Sequence, residues 1–158
     1  MAGDAQQFAE LVRAHQQAVS RFCIRYTGSV DAAADLTQEV FLTFWDGRRA
    51  YRDQGKLKAY LLTIARHRCL AYLKKHRKES IGVEDLRRDD DNPERAALAK
   101  ELRQAIKTLE PPFAEVLILR YLEGFDLNEI AELTASPVGT VKSRLHRALG
   151  QLRRDWHD

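Results

Sequence analysis

The chain has 158 residues, of which 44% are apolar and 31% are charged. This length fits one ordinary domain or two small ones, and the apolar share excludes disorder of the whole chain. No uninterrupted apolar run is longer than five residues. A membrane-spanning helix needs about 20, so the sequence predicts no membrane insertion. Residues 1–10 lack a basic stretch followed by an apolar run, and we expect no secretory signal there.

Two isolated cysteines, Cys23 and Cys69, lack the CxxC spacing of metal and redox sites. They are predicted to be buried thiols of a protein in the reducing cytoplasm. The eight glycines are too scattered to form a GxGxxG or Walker phosphate loop. The sequence therefore predicts no nucleotide or other cofactor and no metal.

Three helices are predicted in the N-terminal half, over residues 5–26, 31–49 and 57–77. Their apolar residues recur at steps of three and four, and Asp31 is expected to cap the second helix. The third helix has one apolar face. Its opposite face is mostly basic and consists of Arg66, His67, Leu70, Lys74 and Arg77.

Residues 79–92 interrupt the helical pattern. Large apolar residues are rare there, and acidic residues crowd together: Glu84, Asp85, Asp89, Asp90 and Asp91. Such a composition is typical of a flexible linker, across which few contacts are expected. The sequence thus predicts an all-α protein of two small helical domains, 1–78 and 93–158, joined by the acidic linker 79–92.

Helix boundaries are also marked in the C-terminal half. Asn92 is predicted to cap a helix that begins with Pro93. Pro111-Pro112 stops that helix and starts the next one, which is expected to end near Gly124.

A helix-turn-helix is predicted after that point. Residues 126–129 have the pattern of a capping box, a short helix covers 127–133, and residues 134–135 make the turn. Ser136-Pro137 is expected to cap and begin a longer helix. The outer face of that helix is polar and basic: Thr140, Ser143, Arg144, Arg147 and Gln151. This geometry suits entry into a major groove, although a plain helical hairpin has the same pattern.

Two basic stripes contain no acidic residue. Six Lys and Arg side chains lie between Arg66 and Lys78, and five lie between Lys142 and Arg154. Two stripes indicate two contacts with a polyanion; solvated helix faces are the alternative explanation.

These segments resemble bacterial extracytoplasmic-function sigma factors. Residues 31–45 are similar to the polymerase-binding helix of that family, and residues 60–75 to its promoter-melting helix, which reads the −10 element. Residues 111–152 are similar to the domain that reads the −35 element. This domain contains the motifs LRYLEG (119–124), EIAE (129–132) and PVGTVKSRLHRA (137–148). The resemblance spans nearly the whole chain, in the family's order.

The resemblance implies a cytoplasmic transcription initiation factor, not an enzyme, that binds core RNA polymerase and promoter DNA and is held by an anti-sigma factor. The implied polymerase contacts are Asp35, Gln38, Glu39 and Trp45. The implied −10 contacts are Tyr60, Arg66, His67, Lys74, Lys75 and Arg77. The implied −35 contacts are Arg120, Thr140, Lys142, Ser143, Arg144, His146 and Arg147. For Trp45 and Tyr60, packing in the core is an equally good interpretation.

Some positions depart from the family pattern. His67 stands where asparagine is frequent, so the preferred −10 base is not predicted. Ala135 stands at a turn position where glycine is frequent, and glycine tolerates a left-handed backbone that alanine resists. Thr134 replaces a large aliphatic residue, and His146 leaves the −35 sequence open.

Three other functions remain as alternatives. A helix-turn-helix repressor or activator binds DNA without polymerase, usually as a dimer. An adaptor binds another protein through apolar helix faces. An enzyme is the third alternative, but the sequence shows no nucleophile–base pair and no phosphate loop. A zinc site for such an enzyme could be imagined from His67, Cys69 and His76, but Cys69 falls on the apolar face of its helix and His67 on the other.

Overall fold

The computed structural model describes residues 2–76 and 92–157, and these residues form helices and turns without a β-strand. The all-α prediction is confirmed. The elements are α1 (Ala2–Thr27), α2 (Val30–Asp46), α3 (Leu57–Lys75), α4 (Pro93–Lys107), α5 (Pro111–Leu117), a π-helical turn (Ile118–Leu122), α6 (Leu127–Leu133) and α7 (Val138–His157). The predicted linker lies outside the described residues except for Asn92, and Arg77 also lies outside them.

Helices α1, α2 and α3 pack against one another through the apolar faces that their periodicity predicts. Within this bundle the ring of Phe22 stacks on that of Tyr26, with centroids 4.4 Å apart. Burial of each such large side chain contributes about 1.5–3 kcal/mol to the free energy of unfolding. The fully buried residues of the bundle include Val19, Phe22, Cys23, Tyr26, Ala33, Val40, Leu61, Leu62, Ala65 and Cys69.

The start of α2 differs from the prediction, because Ser29 caps the helix and Asp31 does not. The Ser29 hydroxyl accepts a hydrogen bond from the Ala32 N–H at 3.1 Å. Asp31 lies within the first turn, where its negative charge complements the helix dipole. The helix ends at Asp46, three residues before the predicted end.

Two of the local signals predicted in the C-terminal half are confirmed. The Asn92 side chain accepts from the Glu94 N–H at 2.9 Å, and Pro93 opens α4. Asp126 and Glu129 form both hydrogen bonds of a capping box, at 2.8 and 3.0 Å, at the start of α6.

The connection from α5 to α6 contains a feature that periodicity did not predict. The helix widens into the π-helical turn, in which the Glu123 N–H donates to the Ile118 carbonyl at 2.9 Å. Gly124 then adopts a φ of 78°, and the Phe125 N–H returns to the Leu119 carbonyl at 2.9 Å. This closing bond is that of a Schellman motif, in which the left-handed position favours glycine.

The start of α7 also differs from the prediction. The Pro137 carbonyl accepts the first helical hydrogen bond, from the Val141 N–H at 3.2 Å, so Pro137 and not Ser136 occupies the capping position. The Ser136 hydroxyl instead donates to the Thr134 carbonyl at 3.2 Å. In the turn before it, Ala135 has a φ of 52°.

The two halves of the chain are in contact at one surface. Helix α3 packs against α6. Two buried ion pairs, Arg25 with Glu123 and Arg66 with Glu115, join the halves. Pairs of opposite charge thus join two surfaces that the sequence predicts to lie on different domains.

The turn of the helix-turn-helix should be stabilised by Ala135→Gly. A left-handed alanine costs about 1–2 kcal/mol, and glycine's greater entropy in the unfolded chain offsets part of the gain. We expect the free energy of unfolding to rise by about 0.5–1 kcal/mol in urea denaturation. The control Ala131→Gly, inside α6, should lower it by about 1 kcal/mol. A loss of stability on Ala135→Gly would contradict this account of the turn.

Candidate polymerase and nucleic-acid interfaces

One side of α2 carries the polar residues predicted to meet polymerase. Asp35, Gln38 and Glu39 are exposed, while Val40 and Phe44 point into the bundle. Leu42 shares the exposed side and is 60% exposed. The sequence reasoning missed Leu42, although it follows Gln38 by four positions and Glu39 by three and therefore lies on the same helix face. We call Asp35, Gln38, Glu39 and Leu42 the α2 stripe.

Helix α3 supports the α2 stripe from the side. The Arg68 guanidinium donates a hydrogen bond to the Thr43 hydroxyl at 2.8 Å. It also lies 3.9 Å from the Glu39 carboxylate, with both side chains about half exposed. Such an exposed pair contributes little stability, but it restricts where the Glu39 carboxylate lies.

Trp45 does not belong to the exposed side of α2. It is half-buried, and its ring lies 4.8 Å from that of Phe8 in α1. The Arg48 guanidinium lies 3.6 Å from the indole centroid, and Arg48 also donates to the Trp45 carbonyl at 2.7 Å. These contacts favour the packing interpretation of Trp45.

Tyr60 lies at the edge of an aromatic cluster where α3 begins. Its ring is 4.7 Å from that of Tyr51 and 6.0 Å from that of Phe44, and Tyr60 is 39% exposed. The sequence reasoning did not single out Tyr51. Burial, together with the nearby Asp53 carboxylate, raises the pKa of Tyr51. In this cluster the rings of Phe44 and Tyr51 are packed, whereas the Tyr60 ring reaches solvent.

A cleft of about 430 Å³ separates this cluster from α6. Tyr51, Tyr60 and Lys56 line one wall, and Glu129 and Glu132 line the other. The Lys56 ammonium lies 3.8 Å from the Glu132 carboxylate at the exposed margin. The cleft therefore has a basic and aromatic wall that faces an acidic one.

The basic face of α3 is only partly available. His67, Lys74 and Lys75 are exposed. Arg66 is not, because its side chain is 18% exposed and its Nε donates to the Glu115 carboxylate at 2.5 Å. The structure therefore separates Arg66 from the other predicted −10 residues.

Helix α7 presents the predicted −35 residues on its outer face. Lys142, Ser143, His146 and Arg147 are exposed, and Thr140 is half-buried. These four exposed side chains lie on one face of α7, because their positions recur at steps of three and four residues.

Two other predicted −35 residues are tied to neighbouring elements. Arg144 is half-buried, and its guanidinium lies 3.4 Å from the Ser136 hydroxyl, to which it donates. Arg120 is exposed in the π-helical turn, yet it donates to the Phe125 carbonyl at 3.0 Å. Both arginines therefore hold the framework around α6 and α7 in place.

The residues of the hypothetical zinc site lie apart. Cys69 is fully buried beside Cys23, whereas His67 is exposed. The contact with the Cys23 thiol, together with burial, raises the pKa of the Cys69 thiol. Among the described residues, no helix is both long and apolar enough to cross a bilayer.

Known families match both halves of the chain. The family model for Sigma-70 region 2 matches residues 11–79, and the model for Sigma-70 region 4 matches residues 99–152. These two regions, in this order, define a sigma factor, the transcription initiation factor that directs core RNA polymerase to promoters.

Sequence relatives identify the kind of sigma factor to which the chain belongs. The chain is 30% identical to the ECF RNA polymerase sigma factor SigW of Bacillus subtilis, over 99% of this chain and 92% of that protein. It is 32% identical to the ECF RNA polymerase sigma-E factor of Haemophilus influenzae, over 92% and 85%. The chain therefore belongs to the family of extracytoplasmic-function RNA polymerase sigma factors.

A solved structure shares the fold. The sigma factor RpoE of Bartonella quintana, crystallised with the anti-sigma factor NepR, superposes with a TM-score of 0.73 at 22% identity. The match covers 94% of this chain and 96% of that one. The arrangement of helices is thus one that a known sigma factor adopts.

The structure predicts opposite roles in stability for two large residues of α2. Trp45→Ala should lower the free energy of unfolding by about 2–3 kcal/mol, because the indole packs on Phe8 and Arg48. Leu42→Ala should change it by less than about 0.5 kcal/mol, because Leu42 is mostly exposed. Chemical denaturation of the two variants measures both values. Equal losses would contradict the assignment of Leu42 to a surface that is free for binding.

Proposed function

We propose that this sigma factor binds core RNA polymerase through the α2 stripe and promoter DNA through α3 and α7, in the cytoplasm. This assignment rests on one observation, which is that α2, α3 and α7 carry separate surfaces of different chemistry. A polar stripe with a single exposed leucine lies on α2, and basic residues lie on α3 and α7. A helix-turn-helix repressor has no need of the first two surfaces, which argues against that alternative.

The α2 stripe suits a basic partner surface. Carboxylates and an amide at Asp35, Glu39 and Gln38 can accept charge-assisted hydrogen bonds from arginines of polymerase. Leu42 lies among them and supplies an apolar contact of the kind found at interface hot spots. Trp45 supports this surface from behind, through its packing on Phe8.

The start of α3 suits melted DNA. An exposed base can stack on Tyr60, whose ring is held by Tyr51 and Phe44. The ammonium groups of Lys74 and Lys75 can follow the backbone of the exposed strand, while His67 lies on the same helix as a candidate for a base contact. Stacking of this kind contributes about 1–3 kcal/mol per base.

The outer face of α7 suits the −35 duplex. A helix of this kind enters the major groove, where Arg147 can bind guanine in bidentate fashion. Lys142 and Ser143 can hold phosphates and fix the register of the helix. Arg120 and Arg144 contribute by positioning α6 and α7.

An anti-sigma factor is the expected regulator. The structure that this chain resembles was determined with the anti-sigma factor NepR bound to RpoE. We extend that mode of regulation to this chain as a proposal, with a partner that covers surfaces needed for polymerase or promoter binding.

Transcription in vitro tests the proposed function. Purified protein and bacterial core polymerase are mixed with a pool of promoter fragments, and the start sites are sequenced. We expect transcripts from a subset of fragments that share two spaced motifs. Tight, specific duplex binding by the protein alone, without polymerase-dependent transcripts, would instead establish the conventional regulator.

Polymerase binding should depend on the α2 stripe. The double variant Asp35→Ala/Gln38→Ala removes two acceptors of an interface, and we expect core polymerase affinity to fall at least tenfold with the fold intact. Leu42→Ala should weaken binding severalfold. The control Glu101→Ala changes an exposed acid of α4 and should bind as the wild type does. Fluorescence anisotropy of labelled protein measures the affinities, and unchanged binding by the double variant rules out this surface.

Recognition of the −35 element should depend on Arg147. Arg147→Ala should lower −35 affinity by about 1–3 kcal/mol, the usual contribution of a bidentate base contact. Lys100→Ala, which removes an exposed cation of α4, serves as the matched control. Start-site sequencing should show reduced dependence on the −35 sequence for Arg147→Ala alone. The same reduction in both variants would indicate a general charge effect.

A further inference from the structure

Helix α5 supplies an aromatic ring beside the arginine that we assign to guanine. Helices α5 and α7 pack together, and Phe113 of α5 is half-buried against the apolar core. The Arg147 guanidinium of α7 lies 5.6 Å from the centroid of the Phe113 ring, although Arg147 is exposed. A cation within about 6 Å of a ring centroid is attracted to the face of the ring. Phe113 and Arg147 therefore form a cation–π contact next to the proposed −35 surface.

The backbone of Phe113 is fixed by the way in which α5 begins. Two prolines occupy the first positions of the helix, where their fixed φ suits a helical turn. The carbonyl of Glu110, directly before them, accepts hydrogen bonds from the Phe113 N–H at 2.9 Å and the Ala114 N–H at 3.0 Å. The ring thus belongs to a rigid part of the fold, whereas an arginine side chain is long and loses much rotamer freedom when it is ordered.

The contact with Phe113 leaves the hydrogen-bonding groups of Arg147 available. An arginine has several N–H donors, and attraction to a ring uses none of them in a hydrogen bond. Arg120 and Arg144 differ in this respect, because each donates a hydrogen bond to another group of the protein. An aromatic neighbour therefore suits an arginine that binds a base, since a hydrogen-bond acceptor in its place would compete with that base.

We propose that Phe113 is a positioning residue for −35 recognition, which holds the Arg147 guanidinium where it can bind guanine in the major groove. Binding then costs less side-chain entropy, because the free protein already favours one orientation of Arg147. This proposal rests on the proposed function, since it concerns the base contact of Arg147. It assigns a role in promoter specificity to a residue that lies outside the helix-turn-helix.

Removal of the ring tests the proposal in the holoenzyme with core polymerase. The contacted guanine is the −35 position at which replacement by adenine weakens binding of the wild type but not of Arg147→Ala. Phe113→Leu keeps an apolar side chain, and we expect discrimination between guanine and adenine at this position to fall about fivefold, or about 1 kcal/mol. Competition binding with labelled promoter fragments measures the ratio of affinities. Unchanged discrimination by folded Phe113→Leu protein overturns the proposal.

Two comparison variants separate positioning from packing. Leu102→Ala removes half-buried apolar packing from α4, in the same half of the chain, and should leave the discrimination ratio unchanged. In an Arg147→Ala background, Phe113→Leu should have no further effect on the ratio, because the group that the ring positions is absent. An equal loss in Leu102→Ala, or an additive loss in the double variant, would reduce Phe113 to a packing residue and overturn the proposal.

Fluorinated phenylalanines at position 113 test the contact without a smaller side chain. Each added fluorine weakens the negative face of the ring and changes its size little, so a cation–π contact weakens stepwise. We expect discrimination to fall progressively from phenylalanine through its mono-, di- and trifluoro forms, while the free energy of unfolding stays the same. A constant ratio across this series would overturn the proposal even if Phe113→Leu fails to fold.

The outcomes distinguish this proposal from the proposed function. Absence of promoter-dependent transcription by the wild-type holoenzyme would refute the proposed function and the positioning role with it. Wild-type discrimination by Arg147→Ala in an active holoenzyme would refute the assigned base contact, and again the positioning role. Loss of discrimination in Arg147→Ala, but not in Phe113→Leu or the fluorinated series, would refute the positioning role alone.

Discussion

A carboxylate that is buried among apolar side chains is stable as an anion only beside a cation. For Glu115 this cation is the Arg66 guanidinium, on the other half of the chain. Glu115 lies in α5 directly before the apolar residues 116–119, all of which are buried, so it cannot turn to solvent without moving the helix. Its pairing with Arg66 fixes how α5 faces α3. That orientation in turn places α6 across the cleft from Tyr60. This pair, together with that of Arg25 and Glu123, joins the two halves of the chain.

The features that the sequence predicted well are local. Asn92 followed by Pro93, and Asp126 followed by Glu129, act within four residues, and both form the expected caps. Where two capping residues stood close together, the prediction failed. Ser29 was preferred over Asp31 because its extended backbone lies directly before the helix. Composition alone does not rank two such neighbours.

For the residues of the candidate site, too, the sequence predicts local properties better than contacts between distant residues. Helical periodicity correctly placed Asp35, Gln38 and Glu39 on the surface, because a single helix determines that property. The partner of Arg66 lies 49 positions away, and no periodic pattern connects the two residues. The inward orientation of Arg144 and the packing of Trp45 likewise depend on neighbours that only the folded chain brings together.

The π-helical turn at Ile118–Leu122 limits how this region can change in length over evolution. A π turn holds one more residue than an α turn, and each residue of an α-helix advances the chain by about 100°. Deletion of one residue there would restore ordinary helix and leave the residues that follow close to their present orientation relative to α5. Deletion of one residue within α5 itself would instead rotate the helix-turn-helix by about 100°. The π turn is therefore the place where this segment can change its length by one residue with the least effect on the direction in which α6 and α7 face.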